Sequence, residues 1–410
     1  MISIKKVWVD RSHPIWVLAQ QVVLRGAVAL KFLILARLLG PEAVGLVGIA
    51  MIALSAAESL TDTGLVPAIV QRFEHLTREQ ESAAWTVLML RGVAIGTLLI
   101  LTSPLTATFL RAPDAVGLLA WAAGTPMFRG VVSLGVYYAQ RKRDFKTLTF
   151  LQAASSLLDL IAALFFILMG FGAISAIWSS LVAEGVRVLL SYKLFPQRVR
   201  LSFFWTPIED LLQYGRWVWG SSGLTFLLKQ IDKIIVARYF GATNLGIYQI
   251  SYKMAQLTIF DAMHAYSQYL FPTFAETNRR SHTEAKRNFG NSMLLITWYI
   301  AALVAPFILG ARGIIVFLLG DKWNSAVPLF RVLVLAMGFE SLKGIAVVYL
   351  RAIGRPQYVT FSFAVQLLFQ IALGIILVTQ YGAIGMAWAL VISAGASFTL
   401  LLYLTERHTL

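Results

Sequence analysis

Apolar residues run through this chain in long blocks separated by short polar stretches, from residue 17 to the last ten positions. A helix needs about 20 mostly apolar residues to cross a bilayer, and it tolerates a charge or two that face protein or water. Twelve blocks qualify. They predict spans at 17–38, 45–70, 83–109, 115–138, 149–170, 173–194, 213–237, 245–270, 290–310, 325–350, 358–379 and 384–404. The ~10-residue alternation of membrane barrel strands is missing. The opening MISIKKVWVD has no short apolar core with a small-residue cleavage site, so 17–38 reads as a retained helix and not a signal peptide. The expected fold class is all-α integral membrane.

Composition agrees with that reading. Hydrophobic residues make up 58% of the 410, and charged residues 13%, roughly half the ~25% usual in soluble domains. A water-soluble globular chain is excluded. Cysteine is absent, which removes disulfides, thiol catalysis and thiolate metal sites. The five histidines are scattered, no Walker A loop is present, and the longest loops are too short for a catalytic domain. The chain therefore reads as neither an enzyme nor a metalloprotein, with no cofactor. The 35 Lys and Arg exceed the 20 Asp and Glu by 15, yet no soluble face gathers them for nucleic acid. Alternate loops hold 19 basic residues on one side and 4 (Arg111, Arg238, Arg312, Lys322) on the other. The positive-inside rule then puts both termini in the cytoplasm.

The chain also repeats itself. ARLLGPEAVGLVGIA (36–50) aligns with ARYFGATNLGIYQIS (237–251), Pro104 with Pro306, 128–138 with 342–352, and 171–185 with 381–395, all in order. This is one duplication of six helices. Six is even, so the halves are parallel repeats of the kind that rock against each other around a central path. The expected domains are an N-terminal lobe (1–195), a basic, aromatic cytoplasmic linker (196–212) and a C-terminal lobe (213–410). The matched prolines are candidate kinks.

Twelve basic residues remain in the spans or at their ends: Arg25, Lys31, Arg37, Arg91, Arg129, Arg187, Arg216, Lys229, Lys233, Lys253, Arg331 and Lys343. Seven acids join them: Glu58, Asp62, Asp159, Glu184, Asp232, Asp261 and Glu340. Each costs about 2.5–3.5 kcal/mol at a helix centre even on the lenient insertion scale. Arg37, Arg187, Arg216 and Lys343 lie near span ends, where snorkelling is the plainer reading. Arg25, Lys31, Arg91, Arg129, Lys229, Lys233, Lys253 and Arg331 are the candidates for a cationic cavity. The repeat places Lys31 where Asp232 stands in the other half. Structural ion pairing is the rival reading, but seven acids leave five bases over, which favours a cavity that takes an anion. Glu58, Asp62, Asp232 and Asp261 (with His264 three residues on) are candidates for coupling to protons or sodium, and equally for salt bridges. Asp62-Thr63-Gly64 is a candidate helix break. Spans 290–310, 358–379 and 384–404 carry no charge and can meet lipid.

The stretch ARLLGPEAVGLVGIAMIALSAAESLTDTGLVPAIVQR (36–72) resembles the opening signature of Wzx-like polysaccharide and O-antigen flippases. The pattern R-x-LG-P-x-x-x-G-L, then D-x-G-L and QR, is met by Arg37, Leu39, Gly40, Pro41, Gly45, Leu46, Asp62, Gly64, Leu65, Gln71 and Arg72. The stretch 227–255 is similar to the same family, part of the multidrug/oligosaccharidyl-lipid/polysaccharide superfamily. The resemblance implies a V-shaped, two-lobed bundle in the bacterial inner membrane. It would flip a polyprenyl-diphosphate-linked oligosaccharide to the outer leaflet, alongside polysaccharide polymerase or export machinery. Lipid II flippases of the superfamily typically carry fourteen helices, against twelve expected here. The alternative is a cation-coupled multidrug exporter, whose cavity should be acidic or aromatic rather than basic.

Overall fold

The computed structural model describes residues 11, 13, 15–62, 64–71, 77–195, 199–202 and 209–407, without the side chains at 68, 71, 209–221, 260–265 and 267–269. Expectations for Lys5, Lys6, Arg72, Arg198, Arg216, Asp261 and His264, and for most of the linker, fall outside that description. Among the described residues the chain is helix and turn, with no strand. Eight helices are long and apolar enough to cross a membrane: Pro41–Leu60, Arg78–Phe109, Phe145–Leu168, Ile174–Leu194, His282–Leu309, Ala326–Ala352, Pro356–Tyr381 and Ala383–Arg407. A ninth follows if Ala115–Gly130 and Gly135–Arg141, bent by 62° at their junction, form one span. The helices Ile15–Leu39, Glu209–Ala255 and Asp261–Arg280 are also long enough to cross.

Local chemistry sets the boundaries. Thr77 caps Arg78–Phe109 through a reciprocal capping box with Gln80, and Ser281 accepts from the Glu284 N–H at the start of His282–Leu309. These two caps open the third helix of each repeat. Pro104 cannot donate to the Ile100 carbonyl, and the Ser103 hydroxyl takes that carbonyl instead at 2.8 Å. Gly40 and Gly241, paired by the repeat, both hold positive φ (95° and 73°). The second of them ends one helical rod and starts another inside Glu209–Ala255.

The chain divides into two compact units, one of residues 1–39 and 46–226, the other of 40–45 and 227–410. In the first unit Phe145–Leu168 lies between Ile15–Leu39 and Ile174–Leu194. Arg11 pairs with Asp144 at 3.3 Å, and the Thr149 hydroxyl donates to the Trp16 carbonyl at 2.8 Å. The residues before the first helix therefore lie on the same face as the turn before Phe145–Leu168. In the second unit Ala383–Arg407 lies against both Ala326–Ala352 and Pro356–Tyr381, and Phe274, Phe289 and Tyr349 stack in its core. His282–Leu309 has only 11% of its apolar window covered, with Leu294, Leu295 and Trp298 outward. That is the surface of a helix that faces lipid.

Candidate functional site

Two broken helices shape a cavity in the first unit. The helix Pro41–Leu60 stops at 61–64 and resumes as Leu65–Gln71, where the sequence predicted a break. Asp62 Oδ1 accepts from the Gly64 N–H at 3.1 Å, and Gly64 takes φ 62°, which fixes the turn. A helix end buried in a membrane leaves carbonyls that need donors. Arg91 supplies them: its Nε donates to Thr61 O at 2.7 Å and an η-nitrogen to Glu58 O at 2.8 Å. The second break lies at 131–134. There the Ser133 N–H donates to Ser191 Oγ at 3.1 Å, and the Tyr192 hydroxyl donates to Val131 O at 2.9 Å. Gly92 and Gly130 bring the helices together. A Cβ on Gly92 would stand 2.4 Å from Pro126 O, and one on Gly130 2.7 Å from Leu88 O. That approach sets Arg91 beside Arg129.

The cavity has a volume of about 190 Å³, and its polar lining is Glu58, Arg91, Arg129, Tyr137 and Arg187. Arg129 is held by two carboxylates: Nε donates to Glu184 Oε1 at 2.7 Å and an η-nitrogen to Glu58 Oε1 at 2.8 Å. Arg187 donates to the other Glu184 oxygen at 3.4 Å, and its own buried Nε has no partner. A guanidinium has five N–H donors, so Arg129 and Arg187 keep donors for an anion. Three guanidinium groups face two carboxylates, and the excess is positive.

The remaining sequence candidates divide clearly. Lys31 donates to Asp159 (2.6 Å), Ala176 O (3.1 Å) and Ser180 (3.0 Å), which fills all three of its N–H positions. Asp232 is buried, accepts from the Tyr248 hydroxyl at 3.0 Å and pairs with Lys233, whose ammonium also lies 3.9 Å from the centre of the Tyr252 ring. Lys229 is exposed, and among the described residues it contributes its carbonyl, to Lys233. Arg25 donates to Gln21, Lys253 to Gln256 and Arg331 to Ile308 O. Asp62 also accepts from Ser222 at 3.0 Å. Of the eight basic candidates the cavity gathers Arg91 and Arg129, and of the acids Glu58.

Two readings need correction. Arg187, taken for a snorkelling side chain, lines the cavity, and Lys343 is buried between Glu340 and Gln366, each 2.6 Å away. Nearness to a span end decided the first reading. The bend at 131–134 and the buried Glu184 decide otherwise. The spacing of Glu184 and Arg187, three apart on one helix face, was the available signal.

The profile of a family described as polysaccharide biosynthesis protein matches residues 34–328. The succinoglycan biosynthesis transport protein ExoT of Rhizobium meliloti (strain 1021) is 25% identical over 337 residues, 80% of this chain and 67% of that protein. The lipopolysaccharide biosynthesis protein WzxC of Escherichia coli (strain K12) is 24% identical over 332 residues, 78% of this chain and 65% of its own. The chain thus spans about two thirds of the length of these relatives. Among solved structures, lipid II flippase MurJ in an inward closed conformation matches with a TM-score of 0.78 over 96% of this chain and 87% of that one, at 14% identity. An inward-facing multidrug resistance MATE family transporter of the MOP superfamily gives 0.72 over 95% and 94%, at 16%. At such identities the likeness is one of fold.

Proposed function

Because this chain belongs to the polysaccharide biosynthesis protein family, we propose that it flips a polyprenyl-diphosphate-linked oligosaccharide from the cytoplasmic to the outer leaflet. The single observation that carries this reading is the arginine cavity. A diphosphate cannot cross hydrocarbon without replacing its water by donors, and guanidinium groups bind phosphate oxygens in pairs. Arg91, Arg129 and Arg187 stand on two broken helices and their neighbours, as anion-handling transporter sites do. The polyprenyl tail stays in lipid while the head group moves. A multidrug exporter of organic cations fits this net-positive cavity poorly.

The chain crosses the bacterial inner membrane twelve times in this reading, in two six-helix lobes that alternate access. The helices Ile15–Leu39, Glu209–Ala255 and Asp261–Arg280 complete the count beyond the nine candidate spans. Both termini lie in the cytoplasm. The Arg11–Asp144 pair puts residues 11 and 144 on one face, as an even number of intervening spans requires, and the basic loops favour the cytoplasmic side. Such a flippase hands its product to polymerase or export machinery. The test is glycan export in cells that lack the native protein and carry Arg129→Gln: export should fall at normal protein level. Undiminished export would sink the reading.

A further inference from the structure

We propose that Glu58 is the resident anion of the arginine cavity, displaced by a substrate phosphate. This rests on the diphosphate reading above. The two carboxylates at the cavity are not equivalent. Glu184 is buried and accepts through both oxygens, from Arg129 and Arg187. It is a fixed part of the wall. Glu58 is nearly a third exposed, and among the described residues its carboxylate has one partner, the Arg129 η-nitrogen at 2.8 Å. That contact has the form of a guanidinium–phosphate contact.

Charge arithmetic favours displacement. With Glu58 in place, the three arginines exceed the carboxylates by one; with Glu58 withdrawn, by two. A diphosphate esterified at both ends, as in a lipid-linked sugar, carries two negative charges. Withdrawal therefore matches the cavity to its ligand. Glu58 also stands in the last turn before the 61–64 break, so its side chain can swing out without disturbing an intact helix. Arg91 holds the Glu58 carbonyl and keeps that turn's backbone in place.

The full-length protein in phosphatidylcholine nanodiscs, with a short-chain prenyl-diphospho-glucose as the probe, separates the possibilities. Glu58→Gln should bind the probe about tenfold tighter than the wild type, since one charged competitor is gone. Arg129→Gln should lose binding by a similar factor. If Arg129→Gln loses binding while Glu58→Gln binds no tighter, the displacement proposal is overturned and the cavity stands. If Arg129→Gln binds normally, the diphosphate reading itself falls. Should Glu58→Gln fail to fold, Glu58→Asp replaces it. The shorter side chain reaches Arg129 poorly and should bind the probe severalfold tighter, and wild-type binding overturns the proposal.

Discussion

Gly45 and Gly246, matched by the repeat 201 residues apart, meet so closely that neither tolerates a side chain. A Cβ on Gly45 would lie 1.8 Å from Ala242 O, and one on Gly246 1.9 Å from Pro41 O. Corresponding positions of the two repeats thus form one helix crossing within the second unit. Gly45→Ala or Gly246→Ala should each destabilise the protein by about 1–3 kcal/mol through overpacking. Gly290→Ala, where a Cβ meets nothing within 4 Å, should be neutral or slightly stabilising. Thermal melting of the three variants in detergent checks this. Equal melting temperatures would mean the crossing yields easily.

Lys31 is a structural residue in this geometry. Lys31→Gln leaves the half-buried Asp159 without its cation, at a cost of about 1–3 kcal/mol. Adding Asp159→Asn should recover most of that, because the stranded charge goes as well. Melting temperatures and membrane levels of the single and double variants provide the readout. A double variant no better than the single one would point to a role for Lys31 beyond the pair.

The apolar pattern made the helices legible, and each of the twelve blocks falls on helix in the structure. The break at Asp62–Gly64 was legible too, because an Asx turn and a glycine are local chemistry. What the pattern did not reveal was partnership. Lys31 and Arg129 look alike along the chain, and only the fifth and sixth helices determine that one meets Asp159 and the other a cavity. Arg187 was passed over for the same reason. Of the residues that line the cavity with it, Arg129, Gly130 and Val132 come from the edge of the 131–134 bend, where Ser191 Oγ takes the Ser133 N–H.

Topology can be mapped directly, since the chain has no native cysteine. Cysteine at position 142 should resist an impermeant maleimide added outside intact cells, and cysteine at 111 or 322 should react. Outside labelling at 142 would contradict the cytoplasmic assignment of the Arg11–Asp144 face.

Pro104 and Pro306 stand in the third helix of each repeat, at the matched offset. Pro→Ala at both should leave insertion intact and shift the balance of inward and outward states. Accessibility of paired cysteine reporters on the two membrane faces measures the shift. An unaltered balance would make the prolines incidental to the cycle.

The central claim is that Arg129 and Arg187 hold the substrate diphosphate. Its most direct test is the flipping rate of a prenyl-diphospho-oligosaccharide in proteoliposomes with Arg129→Gln, Arg187→Gln and the double variant, at equal protein incorporation. Each charge-assisted contact is worth about 1.5–3 kcal/mol, so each single variant should slow flipping by roughly tenfold or more. The double variant should be slower still, with Lys229→Gln, at an exposed position outside the cavity lining, near the wild-type rate. Wild-type flipping by a well-incorporated Arg129→Gln/Arg187→Gln protein would contradict the account.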